Sequence, residues 1–340
     1  MKHPINKLLK PSLRRNFFLI ISTISLILFL SNCATVPYKP SDLKTLDLQG
    51  HRGARGLRPE NTWPAFQTAI DYKMTTLELD TVLTKDGKVI IHHDSETNPI
   101  ICQNGDGSSI QKINLYELTL AELKQLDCGT LQNPKFPEQV PVPGTKLITI
   151  DEFFKLVADV EKKNGPKATQ YLYNIETKFP NDNNSSVSEE RMKLHVKTLI
   201  QSIEKAKTSK RVTLQSFYLP ALKEAEAMNP SIKRSALFAP TYFQGLMIIL
   251  GFGNSYRSEI IAKSEEIHAN IISPYFLYVT PKFVATSHSK NLAVIPWTVN
   301  DPKEMKRLVE CGVDGIISDY PNRLREFVDL EAANLQAETK

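Results

Sequence analysis

The sequence predicts an α/β fold in which a mainly parallel sheet closes into a barrel. From Leu46 onward, short apolar runs alternate with longer stretches of helical period about eight times over roughly 280 residues. Each return to a parallel strand needs a crossover, which a helix supplies. Histidines, carboxylates and basic side chains fall at or just after the C-terminal ends of the expected strands, the face where parallel barrels assemble their sites.

The first element is an address. Residues 1–32 hold Lys2, Lys7, Lys10, Arg14 and Arg15 and no acid, followed by the apolar run Phe17–Leu30. Basic, then apolar, then small and polar residues make a secretory signal peptide over 1–32; the run is shorter than the about 20 residues a permanent span needs. Leu30-Ser31-Asn32-Cys33 resembles a bacterial lipoprotein cleavage box, which implies a lipidated Cys33 and a membrane-anchored protein of the cell envelope. Ordinary cleavage near Ala34 is the alternative. Residues 33–45 then read as a tether. Removing the five leader cations from the 42 basic residues leaves 37 against 37 acidic ones, so a broad nucleic-acid-binding face has little support, while a basic pocket stays open. The whole chain, with 41% apolar and 23% charged residues, has the composition of a folded protein, and the domain is read over 46–330 with a tail at 331–340.

A strand at Leu46–Gly50 ends in His51-Arg52-Gly53, with Arg55-Gly56 and Pro59-Glu60-Asn61-Thr62 following. A proton-transfer group, two cations and glycines that permit close backbone approach suit an anionic ligand. An ordinary turn is the alternative. Asn61 or Thr62 caps a helix over Trp63–Tyr72, with Pro64 in its first turn. In the strand Thr76–Leu83, the period of two puts Glu78 and Asp80 on one side. They either face solvent, with Leu77 and Leu79 inward, or line the barrel, where a divalent cation such as Ca²⁺ or Mg²⁺ relieves their repulsion. The turn at Asp86-Gly87 leads to Val89–His92 and then His93-Asp94; only one of His92 and His93 can point inward while the strand lasts.

Asn98–Lys146 breaks the rhythm with prolines at 134, 137, 141 and 143 and one helix-like piece, Thr119–Leu126. It reads as an insertion in one β–α connection, a length often used for lids. Cys102 and Cys128 lie in it, 26 positions apart, and form a disulfide in an exported protein unless their pairing is coincidence. Cys311 reads as a small buried thiol. A helix at Ile150–Lys162 precedes the strand Tyr171–Glu176, where Asn174, Glu176 and Lys178 share one side. Strands follow at Val212–Gln215, Arg234–Phe238, Asn270–Ser273, Ala293–Val299 and Gly315–Ser318. Helices at Glu189–Lys207, Leu219–Met228, Tyr256–Ile267 and Pro302–Glu310 alternate with them. The apolar run Tyr242–Gly253 is read first as a buried helix, with a lipid-facing surface as its alternative.

Together, three carboxylates, two histidines and Arg and Lys at strand ends are the parts for metal-assisted phosphoester cleavage. No serine-nucleophile elbow, phosphate-binding glycine loop or zinc-protease motif competes. HRGARGLRPENTWPAF, LELDTVLTKDGKVIIHHD, NIETK, QSF, WTVN and GVDGIISDYP, in that order, resemble the glycerophosphodiester phosphodiesterase family from about Leu46 to Arg325. The resemblance implies a TIM (β/α)8 barrel with an insertion after the His-Asp motif. It implies hydrolysis of a small glycerophosphodiester to sn-glycerol 3-phosphate and an alcohol, with one divalent cation, Ca²⁺ or Mg²⁺. By motif, His51 and His93 are the catalytic pair and Glu78, Asp80 and Glu176 the metal ligands. Arg52 and Lys178 meet the phosphate, Gln215 and Trp297 line the pocket, and Glu60 and Asn61 position their neighbours. Packing is the alternative role for Trp297. The alternative activities are cleavage of lysophospholipids and, from a different class, a non-catalytic surface-binding lipoprotein.

Overall fold

A computed structural model describes residues 40–165, 170–179 and 188–338. The leader and Cys33 lie outside the described residues. Eight parallel strands form the wall: β1 (Asp47–Gly50), β2 (Thr76–Leu83), β4 (Leu172–Thr177), β5 (Val212–Ser216), β6 (Lys233–Phe238), β7 (Ile271–Pro274), β8 (Ala293–Val294) and β9 (Gly315–Ser318). Their order is β8-β7-β6-β5-β4-β2-β1-β9, and β3 (Val89–Ile91) pairs antiparallel with β2. The two path ends meet through backbone bonds, Asp314 N to Val294 O at 2.9 Å and Val299 N to Ile317 O at 2.9 Å. This is the expected (β/α)8 barrel.

The expected strand Ala293–Val299 is cut to two residues. Pro296 has no N–H to give, yet Ile295 and Trp297 still donate to Ile272 O and Pro274 O at 3.0 and 3.2 Å. The wall therefore continues as a bent, bridged segment.

Helices pack outside the wall: α1 (Trp63–Asp71), α3 (Ile150–Asn164), α4 (Glu189–Lys205), α5 (Leu219–Met228), α7 (Asn254–Glu266), α8 (Pro281–Ser289), α9 (Pro302–Glu310) and α10 (Pro321–Glu338). Two shorter ones, α2 (Leu120–Leu123) and α6 (Tyr242–Ile249), lie in β–α connections. The main core lies between wall and helices, where Leu77, Leu79 and Ile175 join Phe66 and Phe153. All eight β2 residues are buried, so its alternation separates two buried sides, an apolar one against helices and a polar one inside the barrel. The barrel interior is divided too. Gln49, Asn174 and Gln215 form a hydrogen-bonded chain on one side, and Ile271, Ile295 and Ile317 a small apolar cluster on the other.

Two boundaries move. Ser41 Oγ donates to Val309 O and Val313 O at 3.2 and 2.5 Å, so the end of the supposed tether is docked on the N-terminal face of the barrel. Helix α10 runs through Glu338, across the tail expected to start at 331.

The long connection after β3 is pinned down. Gln139 Nε2 donates to Arg55 O and Arg58 O at 2.7 and 3.1 Å, and Val140 N donates to Leu57 O. Its helix is four residues long, shorter than Thr119–Leu126, with a Thr119/Glu122 capping box. Cys102 and Cys128 are buried and disulfide-bonded across 26 positions, and Cys311 is buried as expected. Closing a loop of that length contributes about 3 kcal/mol. The double variant Cys102→Ser/Cys128→Ser should therefore unfold at a clearly lower urea midpoint than the oxidised protein. Equal midpoints would show that the bridge is energetically idle.

Candidate active site

The site occupies the C-terminal end of the barrel, where β1, β2, β4 and β9 run side by side. Registry aligns Glu78 with Asn174 and Asp80 with Glu176, so β2 and β4 present polar residues at matching levels. Glu78, Asp80 and Glu176 are buried, and one oxygen from each lies within 4.8 Å of the others. Of the two readings of the β2 pair, the structure selects the inward one.

Each carboxylate is held. Glu78 accepts from Arg52 N at 2.7 Å and from Gln215 Nε2 at 3.0 Å. Asp80 Oδ2 accepts from Asn61 Nδ2 at 2.9 Å and faces Arg52 Nε at 3.2 Å. Glu176 forms a close ion pair with Lys178, whose Nζ is 3.5 Å from Asp80 Oδ1. Arg52 also reaches Glu60 Oε1 at 2.6 Å.

The loop after β1 is strained into this arrangement. Arg52 and Asn61 adopt left-handed backbone conformations, with φ of 50° and 56°. Gly53 has φ of +79°, and a Cβ there would stand 2.6 Å from the backbone carbon of Ala65. Only glycine lets the loop lie this close to α1. Thr62 is the N-cap of α1, but its hydroxyl donates to Pro59 O at 2.5 Å and Asn61 is drawn to Asp80, so neither side chain caps the helix.

The electrostatics are those of a cation site. Five buried or largely buried carboxylates (Glu60, Glu78, Asp80, Glu176 and Asp319) face three cations (Arg52, Arg55 and Lys178), an excess of two negative charges when all are ionised. Burial, followed by repulsion from Asp80 and Glu176, pushes Glu78 well above the ordinary carboxylate range. Burial alone would raise Asp80 as well, but Lys178 and Arg52 hold it far below. Asp80 Oδ1 is buried and accepts no hydrogen bond among the described residues. An orphaned oxygen, an all-oxygen donor set and an unbalanced double negative charge fit a hard divalent cation.

Both candidate histidines have Nδ1 tied to a carboxylate. His51 Nδ1 is 2.6 Å from Asp319 Oδ1, and its Nε2 is 4.0 Å from Glu78 Oε2. Asp319 is itself held by Arg55 Nε at 2.5 Å and Asn300 Nδ2 at 2.8 Å. His93 Nδ1 is 2.7 Å from Asp94 Oδ1, and Asn98 secures the other Asp94 oxygen at 2.7 Å. Burial and then Arg55 lower the His51 pKa to about 4, against the pull of Asp319. Burial and then Arg52 lower His93 as well. His92 is buried with its Nδ1 2.9 Å from Asp94 O.

Two residues placed at the pocket by motif are tied to their neighbours. Gln215 is buried and uses its amide on Glu78 and Asn174, so it holds a carboxylate and does not line an open cleft. Trp297 anchors Nε1 on Ser273 O at 2.8 Å and lies edge-on to Phe217 and Tyr275, which makes it part of an aromatic wall. Asp319 and Asn300 were missed, although both sit in quoted motifs. The signal for Asp319 was an acid directly after the last strand.

Comparison with known proteins agrees with this construction. The sequence matches the Glycerophosphoryl diester phosphodiesterase family over residues 51–323. It is 28% identical to the glycerophosphodiester phosphodiesterase of Caldanaerobacter subterraneus subsp. tengcongensis, covering 84% of this chain and 98% of that protein. A crystal structure of a putative glycerophosphoryl diester phosphodiesterase from Silicibacter pomeroyi superposes with a TM-score of 0.75 at 25% identity, over 86% of this chain and 96% of that one. An Oleispira antarctica phosphodiesterase, solved in complex with the product sn-glycerol-3-phosphate, has a TM-score of 0.63 at 21% identity, over 84% of this chain and 98% of that one. A barrel end that gathers carboxylates, cations and two carboxylate-braced imidazoles, within a match that runs through nearly all of the domain, places this chain in the glycerophosphoryl diester phosphodiesterase family.

Proposed function

We propose that this chain hydrolyses glycerophosphodiesters to sn-glycerol 3-phosphate and an alcohol with the help of one divalent cation, Ca²⁺ or Mg²⁺. The observation that carries this reading is the buried trio Glu78, Asp80 and Glu176, gathered within 4.8 Å beside Arg52 and Lys178. A cation held by the trio supplies charge neutralisation at the phosphate oxygens. The guanidinium of Arg52 and the ammonium of Lys178 bind the same anion and stabilise the charge it gains during attack.

Proton movement falls to the two imidazoles. With Nδ1 turned to Asp319 or Asp94, each ring leaves Nε2 free for transfer. One ring takes the proton from the attacking oxygen as the new P–O bond forms. The other gives a proton to the alcohol oxygen as the old P–O bond breaks. With a pKa of about 4, His51 is neutral at neutral pH and ready to accept a proton, and Asp319 stabilises the imidazolium that results. A bound phosphate anion offsets the repulsion that Arg52 imposes on a protonated His93. The product carried by the Oleispira protein agrees with this outcome for a similar barrel.

The test is release of sn-glycerol 3-phosphate from a panel of glycerophosphodiesters, each assayed with Ca²⁺ and with Mg²⁺. The monoester should appear with at least one head group and ion. No release from the whole panel would end the reading. Including lysophosphatidylcholine beside glycerophosphocholine separates the small-diester activity from lysophospholipid cleavage.

The leader belongs to the same proposal. Residues 1–32 direct export, and Cys33 carries a lipid that holds the enzyme in the cell envelope. Labelling of the bacterial protein with a fatty acid should be abolished by Cys33→Ala. Label retained in that variant would place the anchor elsewhere.

A further inference from the structure

We propose that the apolar surface around α6 seats the active-site rim on the interface of a phospholipid bilayer. The connection from β6 to α7 leaves the wall at the end that carries Glu78, Asp80 and Glu176. From Ala239 through Tyr256 it contains no charged residue. The apolar run reads as a buried helix, and the structure overturns that. Tyr242 is 94% exposed, Phe243 63%, Ile249 49% and Phe252 65%. Gly245 and Ile248 are the buried residues of the helix. Single exposed apolar side chains need no explanation, but an uncharged cluster of aromatic and aliphatic residues on a soluble domain marks a contact surface.

The cluster is built to stay exposed. Thr241 Oγ1 accepts from Gln244 N at 3.2 Å while Thr241 N donates to Gln244 Oε1 at 2.9 Å, fixing the helix start. Ile248 anchors the helix, which packs against Phe276–Tyr278. From there an aromatic row leads inward. Tyr275 lies 5.7 Å from Trp297, Trp297 5.5 Å from Phe217, and Lys178 Nζ 5.6 Å above the Phe217 ring. The surface is thus continuous, through ring contacts, with the cations beside the carboxylate trio.

The chemistry selects a bilayer interface. Aromatic rings beside aliphatic side chains are what the boundary between head groups and acyl chains accepts. The absence of charge removes any need for anionic lipid, so the contact persists at high salt. The docked Ser41 lies at the opposite end of the barrel.

The contact is read directly, without turnover, so its failure is separable from failure of the proposed reaction. Phe243→Trp and Tyr72→Trp are made separately in the full chain; Tyr72 is exposed at the end of α1, on the N-terminal side of the barrel. Each is mixed with phosphatidylcholine vesicles whose acyl chains are brominated or plain, and the wild-type signal from Trp63 and Trp297 is subtracted. Emission from Phe243→Trp should fall by more than half on brominated vesicles, equally at about 0.1 M and about 1 M NaCl. Emission from Tyr72→Trp should not change. Unquenched Phe243→Trp, or equal quenching at both positions, would overturn the proposal. So would a lipid-free wild-type dimer in sedimentation that Phe243→Ser/Phe252→Ser converts to monomer, because the surface would then be covered by a second copy.

Discussion

Alanine at His51 or at His93 is expected to lower kcat for glycerophosphodiester hydrolysis by about 10²–10⁴-fold, the usual worth of a positioned acid or base. Each ring presents Nδ1 to a carboxylate, and in the proposed reaction each Nε2 has its own proton to move, so neither can replace its partner. Both are polar residues at loop starts and their loss opens little apolar core, so the variants should keep the wild-type circular dichroism spectrum. The same logic extends to Asp319. In Asp319→Asn, the amide can offer a donor where His51 Nδ1 now meets an acceptor, which favours the wrong tautomer. Its kcat should fall about 10²-fold or more with KM near wild type. If the His51→Ala/His93→Ala double variant retained near wild-type turnover, the assignment of proton transfer to these rings would be wrong.

Removing divalent cations with EDTA should bring turnover to background, with recovery on adding Ca²⁺ or Mg²⁺. Repulsion from Asp80 and Glu176, which helps push Glu78 upward, and a buried Asp80 oxygen with no hydrogen bond among the described residues leave the cation-free site electrostatically strained. A second readout follows from linkage. A ligand that binds only the folded state at about 100 times its Kd adds about 2.7 kcal/mol of stability, so the melting temperature should rise with the activating cation. In Asp80→Asn/Glu176→Gln both the melting shift and the activity should disappear. Full activity in EDTA, with no shift on adding either ion, would show that Arg52 and Lys178 suffice without a metal.

Much of this was legible because it depends on short-range rules. Strand spacing placed Glu78 with Asp80, and Asn174 with Glu176 and Lys178, because alternation is a property of the extended backbone itself. The β–α rhythm implied a parallel wall because crossovers must return the chain. What the local pattern left open was which side of β2 faces the cavity, since both sides are buried and only registry with β4 distinguishes them. The shortened β8 was likewise invisible to an apolar count, as Pro296 breaks the ladder by lacking a donor.

The α6 run shows the limit from the other side. Apart from Gln244 and Gly245, YFQGLMII is apolar, and from composition alone such a segment belongs in a core. In the structure the helix sits in a rim connection, and its packing on Phe276–Tyr278 buries Gly245 and Ile248 but leaves Tyr242, Phe243 and Ile249 in the open.

By itself the sequence determined the α/β class and the strand-end location of the chemistry, because both follow from backbone period and side-chain chemistry within a few residues; the choice among its histidines and carboxylates came from the family resemblance. The tertiary structure decided which distant groups brace them: Asp319 behind His51, Gln215 behind Glu78 and Asn61 behind Asp80. Those partners are 268, 137 and 19 positions apart in the chain. No local rule sets such distances; closure of the wall does, by bringing the ends of separate strands to one rim.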